Sequence, residues 1–253
     1  MICNIDIETM PQQGGYEAFL EDAKSNFKAP STLTKTQACA DLGLAGNDAK
    51  FTSKDNAIAQ WVARFSQEKA PQVAAENWRK TSLDGTKGEI FSIVIAIGEE
   101  PPISFARTVD DLGVFSCEAE MLSRFFATIK AIRSGVTPYF VGHNIGGFDM
   151  RFIYRRCVIN GVKPSFEIPH NGRHGQHFFD TMTEWAGFGN RISQDNLCKA
   201  LGIEGKPDDI NGSQVWDYLE AGKLDRVVEY NIDDVVKNRE IYKRLTFTST
   251  ISE

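Results

Sequence analysis

The stretch NIDIET, Asn4 to Thr9, sets two acids, Asp6 and Glu8, into a run of isoleucines. The isoleucines read as a strand. Successive strand residues face opposite ways, so Asn4, Asp6 and Glu8 share one face while Cys3, Ile5 and Ile7 share the other. Two like charges on one face, beside apolar packing, repel each other and lose hydration. Such a face either opens to water or holds something positive between its carboxylates. The remainder of the chain decides between these.

A chain of 253 residues buries one generous core or two small ones. Hydrophobic residues make up 42% and charged residues 25%, the balance of a soluble globular chain. No apolar run approaches the ~20 residues that span a bilayer, and acids stand where a secretory signal would be apolar. No membrane partner is therefore expected. The five cysteines, Cys3, Cys39, Cys117, Cys157 and Cys198, are odd in number and scattered. That argues against a disulfide framework or a cysteine zinc site and for reduced thiols in a cytoplasmic protein. The net charge of −6 argues against electrostatic wrapping of duplex nucleic acid. It leaves room for an enzyme that meets phosphate through bound cations.

Residues 2–8 read as a strand, and EIFSIVIAIG (89–98) with PISFA (102–106) as an antiparallel hairpin. SCEAEMLSRFFATIKAI spaces Met121, Leu122, Phe125, Ile129 and Ile132 as a helix does, with Ser116 as its N-cap. PYFVGH reads as a fourth strand, MRFIYRRCVING as a helix closed by Asn160 and Gly161, and HFFDTM as a short fifth strand. SQDNLCKALGI and LDRVVEYNIDDVVKNREIYKRL read as two further helices. This order predicts an α/β fold, a mixed five-stranded sheet flanked by helices. Residues from about 11 to 88, with helical patches in YEAFLEDAKSNF and AIAQWVARFSQEKAPQVAAENW, read as a mostly helical insertion within a single domain spanning 1–253.

Two further constellations join the strand acids. In GHNIGGFDM, Asn144, Phe148 and Asp149 follow an apolar strand and precede an amphipathic helix, while Gly146 and Gly147 permit a tight turn and close approach by a ligand. An acid at a helix start also fits simple dipole stabilisation, which explains Asp149 but neither Asn144 nor the glycine pair. In YNIDD, Tyr230 and Asp234 are four residues apart and share a helical face; a Tyr there fits an amphipathic core equally well.

Taken in order, Asp6-Ile7-Glu8-Thr9, Asn144-x-x-x-Phe148-Asp149 and Tyr230-x-x-x-Asp234 resemble the three motifs of the DEDD exonucleases, which are DnaQ-like 3′→5′ exonucleases with a ribonuclease-H-like fold. Tyr230 places the chain with the DEDDy branch; the His of the other branch would fall at position 229, a Glu. Within that branch it is most similar to stand-alone relatives of the family-B DNA polymerase proofreading domain, known from bacteria and phages. HFFDTMTEW and SQDNLCKALGI also look like segments of this group. The resemblance covers residues 1–10 and about 89–246, and the insertion departs from it.

The resemblance implies two divalent cations, Mg²⁺ or Mn²⁺, held by Asp6, Glu8, Asp149 and Asp234, with Asp6 bridging. It implies that Tyr230 orients the attacking water, that Thr9 and Met10 face the terminal nucleotide, that Asn144 hydrogen-bonds the substrate backbone and that Phe148 packs beneath the site. The substrate would be single-stranded DNA or frayed 3′ ends, the products nucleoside 5′-monophosphates, and the setting the cytoplasm of a bacterial or phage-infected cell. RNA is an alternative substrate, because no residue here senses a 2′-hydroxyl. A nucleic-acid-binding or proofreading module serving a separate polymerase is another. Trp78, Trp185 and Phe188 are candidates for base stacking, and each also fits a core. Arg151, Arg155 and Arg156 form either a basic cluster behind Asp149 or a solvated helix face. His170, His174 and His177 in PHNGRHGQH fit a loop over the site better than a transition-metal centre. Asp180 either assists the metal centre or caps a helix.

Overall fold

Alternation along the first strand sorts the two faces of the sheet. The structure, a computed structural model, describes residues 1–205 and 209–248, without the Arg133 side chain. The chain opens with β1 (Ile2–Met10) and four helices, α1 (Tyr16–Ser25), α2 (Lys35–Asp41), α3 (Gly46–Phe51) and α4 (Lys54–Arg79). There follow β2 (Glu89–Ile97), β3 (Ile103–Ala106), α5 (Glu118–Arg133), β4 (Tyr139–Gly142), α6 (Asp149–Ile159) and β5 (Phe178–Asp180). The chain continues through α7 (Thr181–Ala186), α8 (Gln194–Leu201), α9 (Val215–Glu220) and α10 (Leu224–Leu245). The described strands form one mixed sheet in the order β3-β2-β1-β4-β5. β1, β2 and β3 pair antiparallel, whereas β4 runs parallel to β1 and β5 parallel to β4. Parallel neighbours need a crossover, and α5 and α6 supply the two. This is the α/β architecture expected from the sequence.

Cys3, Ile5 and Ile7 pack on one face with Met121, Leu122, Phe125 and Ile129 of α5 and Met150, Phe152, Ile153 and Cys157 of α6. The opposite face carries Met10 and Phe91, which pack with Val215, Leu219, Val227 and Tyr230, and Val94 and Ala96, which pack with Val235 of α10. The sheet is thus sandwiched between α5/α6 and α10. A register shift between Glu8 and Thr9, paired with Ser92 and Ile90, lets Phe91 bulge out of the ladder. Its consequence is visible in the packing: Ile90 joins the face of Ile93 and Ile95, while Phe91 turns to the α10 face. A bulge re-aims side chains, and this one lies beside Glu8.

Between α5 and α6 the buried carboxylate of Glu118 accepts from Arg156 Nη2 at 2.6 Å, from Asn160 Nδ2 at 2.8 Å and from the backbone N–H of Ile90 at 2.7 Å. Arg156 therefore points inward, away from Arg151 and Arg155, which are exposed; the three do not form one basic cluster. Ser116 does not cap α5 as expected. Its hydroxyl accepts from Thr108 N–H at 2.9 Å, and Cys117 stands at the cap without a side-chain bond.

The chain divides into two compact units, Met1–Pro11 with Ser82–Glu253, and Gln12–Thr81. The inserted unit closes at Thr81 rather than near 88. Residues after it already belong to the sheet unit: Thr9 Oγ1 donates to Ser82 O at 2.8 Å, and Gly85 lies so close to α6 that a Cβ there would sit 3.2 Å from Phe152 Cα. Within the inserted unit, Ala23 of α1 meets Ala70 and Ala74 of α4, and Trp61 stacks near Phe27 and Phe65 while donating to Asp41 at 2.8 Å. No helix among the described residues is long and apolar enough to cross a membrane.

Removing one partner of a buried ion pair leaves an uncompensated charge and costs about 3–5 kcal/mol. Glu118→Ala is expected to lower stability by that order in urea denaturation; a midpoint within error of the wild type would refute the role given to this carboxylate.

Candidate active site

β4 lies between β1 and β5, accompanies β1 only from Ile2 to Asn4, and ends at Gly142, which pairs with Asp180 of β5. The carboxyl half of β1 projects past that parallel partner. There the N–H of Ile7, the residue between the two strand acids, donates to Asp149 Oδ1 at 3.2 Å. The first residue of α6 thus takes up a β1 N–H beyond the end of β4. Carboxyl ends of parallel strands are the usual place for ligands in open α/β sheets.

The inward stripe of α10 supplies the rest. Val227, Tyr230, Asn231, Asp234, Val235, Asn238 and Ile241 are buried, the three-and-four spacing of a helix face laid on a sheet. Asn231 Nδ2 donates to Ser92 Oγ at 2.8 Å, and Gln194 Nε2 to the carbonyl of Asp234 at 2.9 Å, so the helix is pinned from both sides. Of the adjacent pair in YNIDD, half-buried Asp233 pairs with Lys237 one turn further along, and Asp234 is buried. Asp6, Glu8 and Asp234 each bring a carboxylate oxygen within 4.8 Å of the others. Glu8 and Asp234 are buried, and Asp6 is half-buried.

Asp149 is buried and its carboxyl is pushed up to about 7, first by desolvation and then by the neighbouring charges of Asp180 and Asp234, against the pull of its hydrogen bonds to Ile7 and its own backbone N–H. A buried carboxyl crowded by carboxylates marks a place where positive charge is wanted. The donors are all carboxylate oxygens, the set that suits hard ions such as Mg²⁺, Mn²⁺ or Ca²⁺. The residues present therefore fit divalent cations.

The loop from His143 to Phe148 is shaped by Asp180. Its carboxylate accepts from the N–H groups of Asn144 (3.0 Å), Gly146 (3.4 Å), Met182 (3.1 Å) and Thr183 (3.3 Å), capping α7 and clamping the loop at once. Asn144 adopts the left-handed conformation, φ 61°, which Asn tolerates better than most residues, and its carbonyl receives Gly147 and Phe148 N–H, each at 3.0 Å. Gly146 is required by crowding, because a Cβ there would lie 2.3 Å from Cζ of the buried Phe178 ring; one at Gly147 would lie 2.4 Å from Asn144 Oδ1 and would displace that side chain.

A family model described as "predicted 3'-5' exonuclease related to the exonuclease domain of PolB" matches residues 89–251. The chain belongs to this family. The exonuclease match contains Asn144, Phe148, Asp149, Tyr230 and Asp234, while Asp6 and Glu8 lie ahead of it. Among solved structures, the family B DNA polymerase of the hyperthermophilic archaeon Pyrobaculum calidifontis is similar at 15% identity, with a TM-score of 0.47. That similarity covers 64% of this chain and 22% of the polymerase, so the chain spans about a fifth of the polymerase's length. Comparison with curated proteins returned no match.

In this exonuclease-family chain the remaining candidate residues are placed as follows. Thr9 is half-buried with its hydroxyl engaged on Ser82, and Met10 has no exposed surface, packing with Phe91 and Tyr230. Phe148 is half-buried, its ring 5.4 Å from that of Phe152. Trp78 belongs to the inserted unit, donating to Gln12 O at 2.9 Å and meeting Tyr16 edge-on. The three histidines have separate partners: His170 stacks on Tyr154, His174 accepts from Asp180 N–H and meets Glu184, and His177 accepts from Arg173 N–H. Sequence reasoning missed the polar supports Ser92, Thr181, Gln194, Asn231 and Asn238. The signal for the last two was available, because Asn231 and Asn238 sit on the same stripe of α10 as Tyr230 and Asp234.

Gly146→Ala is expected to cost about 1–3 kcal/mol by overpacking against Phe178, read in urea denaturation; wild-type stability would refute the crowding. Between the ordinary value of 3.8 and about 7, folded Asp149 keeps a proton that the unfolded chain has released, so rising pH removes stability across that window. A cation favours the ionised form and offsets the loss. Mn²⁺ is expected to raise the melting temperature more at pH 8 than at pH 5, and an equal rise at both would contradict this account.

Proposed function

We propose that the chain is a metal-dependent 3′→5′ exonuclease that hydrolyses single-stranded DNA or frayed DNA 3′ ends to nucleoside 5′-monophosphates. The observation that carries the reading is the meeting of Asp6, Glu8 and Asp234 oxygens within 4.8 Å, beside an Asp149 tied to the strand between the two β1 acids. Asp6, Glu8, Asp149 and Asp234 would hold two divalent cations, Mg²⁺ or Mn²⁺. When bound, the cations would supply Lewis-acid polarisation of the phosphodiester and a lowered pKa for water.

The chain's own residues do the positioning. Water adds at phosphorus, the bond to the 3′ oxygen of the preceding nucleotide breaks, and that oxygen leaves with a proton. Tyr230, on the inward face of α10 one turn before Asp234, orients the water; a phenol is a weak base at neutral pH, so orientation is its role. Asn144 meets the substrate backbone from a loop already held by Asp180, and Phe148 supports the terminal nucleotide from below. Thr9 borders that nucleotide at the end of β1, with Met10 packed beneath as support. DNA is the favoured polymer because the family's description ties it to the exonuclease domain of PolB.

On a 5′-labelled DNA oligonucleotide with Mg²⁺, the wild type is expected to give a ladder shortening from the 3′ end, halted by EDTA. Asp6→Ala is expected to reduce the rate by at least about a hundredfold, the scale for deleting a group that stabilises transition-state charge, and to weaken Mn²⁺ binding in calorimetry. Unchanged degradation by Asp6→Ala would overturn the enzyme reading. Preference for an RNA oligonucleotide of the same sequence would reassign the substrate.

A further inference from the structure

α7 ends in an exposed aromatic, and the turn after it presents another. Phe188 is 97% exposed and Trp185 is 46% exposed. Single exposed apolar residues are ordinary; the construction around this pair is not. Gly187, Phe188, Gly189 and Asn190 form a turn closed by Asn190 N–H to Gly187 O at 3.2 Å, and the Asn190 side chain donates to Ala186 O at 3.0 Å. Gly189, at the third position, has φ 83°, as a type II turn requires. A Cβ there would meet nothing within 4 Å, so the glycine serves the backbone and not the space. The turn is braced to hold Phe188 out in water.

The turn is also fastened to the candidate site. α7 begins at the Asp180 clamp that fixes Asn144. Past the turn, the carbonyl of Ile192 accepts from His143 Nε2 at 2.8 Å, and His143 is the residue before Asn144, with its other ring nitrogen 3.0 Å from Thr181 Oγ1. Two ties therefore hold the aromatic turn beside the loop that carries Asn144. The segment 181–192 carries one exposed cation, Arg191, and one acid, Glu184, which His174 holds at 2.7 Å, so phosphate repulsion is weak here and stacking supplies the attraction. Aromatic faces stack on any base, which lets an acidic chain hold a strand without a broad basic surface.

We propose that Trp185 and Phe188 form the stacking surface for the bases of a single-stranded nucleic acid whose 3′ end lies at the acids. This deepens, and rests on, the exonuclease reading. The braced turn lowers the entropy lost on binding.

The test uses the full chain and a fluorescent oligothymidylate of about 12 nucleotides, within the range one such site covers. Binding is measured by polarisation with Ca²⁺ in place of Mg²⁺. Phe188→Ala and Trp185→Ala are each expected to weaken binding about tenfold, the scale of one lost base–ring stack, while Phe188→Tyr and Trp185→Phe bind as the wild type does. Hydrolysis of the p-nitrophenyl ester of thymidine 5′-monophosphate, which has no further bases to stack, is expected to be unchanged in all four variants. Wild-type binding by both alanine variants, or no binding by the wild type, overturns the proposal. So does a dimer, seen by light scattering, that Phe188→Ala dissolves without altering oligonucleotide binding. If the alanine variants lose binding but the wild type cleaves neither ester nor oligonucleotide, the stacking surface stands and the exonuclease reading falls.

Discussion

Crowded negative charge on the polar face of β1 is the constraint on which the rest of the structure turns. Like charges about 5 Å apart repel by roughly 3–4 kcal/mol per pair at an effective dielectric near 20, and Asp6, Glu8 and Asp234 bring oxygens within 4.8 Å. A fold under selection for stability alone would place apolar residues on a buried strand face. This one instead spends part of its central strand on acids and draws Asp149 in beside them, where that carboxyl is held back from ionising until about pH 7. The arrangement makes physical sense once positive charge enters from outside the chain.

Holding such a centre together falls to neutral and backbone donors around it. Asp180 is buried yet satisfied by four N–H groups, so it stabilises the loop without needing a cation of its own. Its charge still reaches Asp149 and raises that carboxyl. Ser92, Asn231 and Gln194 fasten α10 by hydrogen bonds to the sheet and to the carbonyl of Asp234. None of these adds net charge to the centre. By contrast, the buried ion pair of Glu118 with Arg156 binds α5 to α6 on the opposite face of the sheet, away from the strand acids, where its positive charge does not compete for them.

Alternation and helical spacing made the strands, the inward stripe of α10 and the face shared by Asp6 and Glu8 readable from the residues. The bulge at Phe91 was not, because an extra residue in a continuously apolar strand leaves the pattern EIFSIVIAI unchanged. Arg156 looked like one of three surface cations, and only the buried Glu118, far off in sequence, turns it inward. The resemblance implies that Met10 faces the terminal nucleotide, yet the strand end has by then passed under α9 and α10, and the residue is sealed. The short helices α7 and α9 lack the length for a periodic signal. Asp180 was legible as a helix cap, but its second duty on Asn144 depends on a contact 36 residues away.

The insertion explains how a centre can be assembled from pieces so distant in sequence. β1 must find β2 across residues 11–88, and lengthening a flexible connection from about ten to about eighty residues would add about 2 kcal/mol of closure entropy. The inserted unit is not a flexible connection. It has cores of its own, and its ends are joined to each other: Gln12 N–H donates to Thr81 Oγ1 at 3.0 Å, and Trp78 Nε1 donates to Gln12 O at 2.9 Å. Once folded, it returns the chain at Thr81 to where it departed at Gln12, so the strands meet as though linked by a short loop. The pairing of β1 with β2 begins at Met10 with Glu89. The family match begins at Glu89 as well, so Asp6, Glu8 and the inserted unit all lie ahead of it.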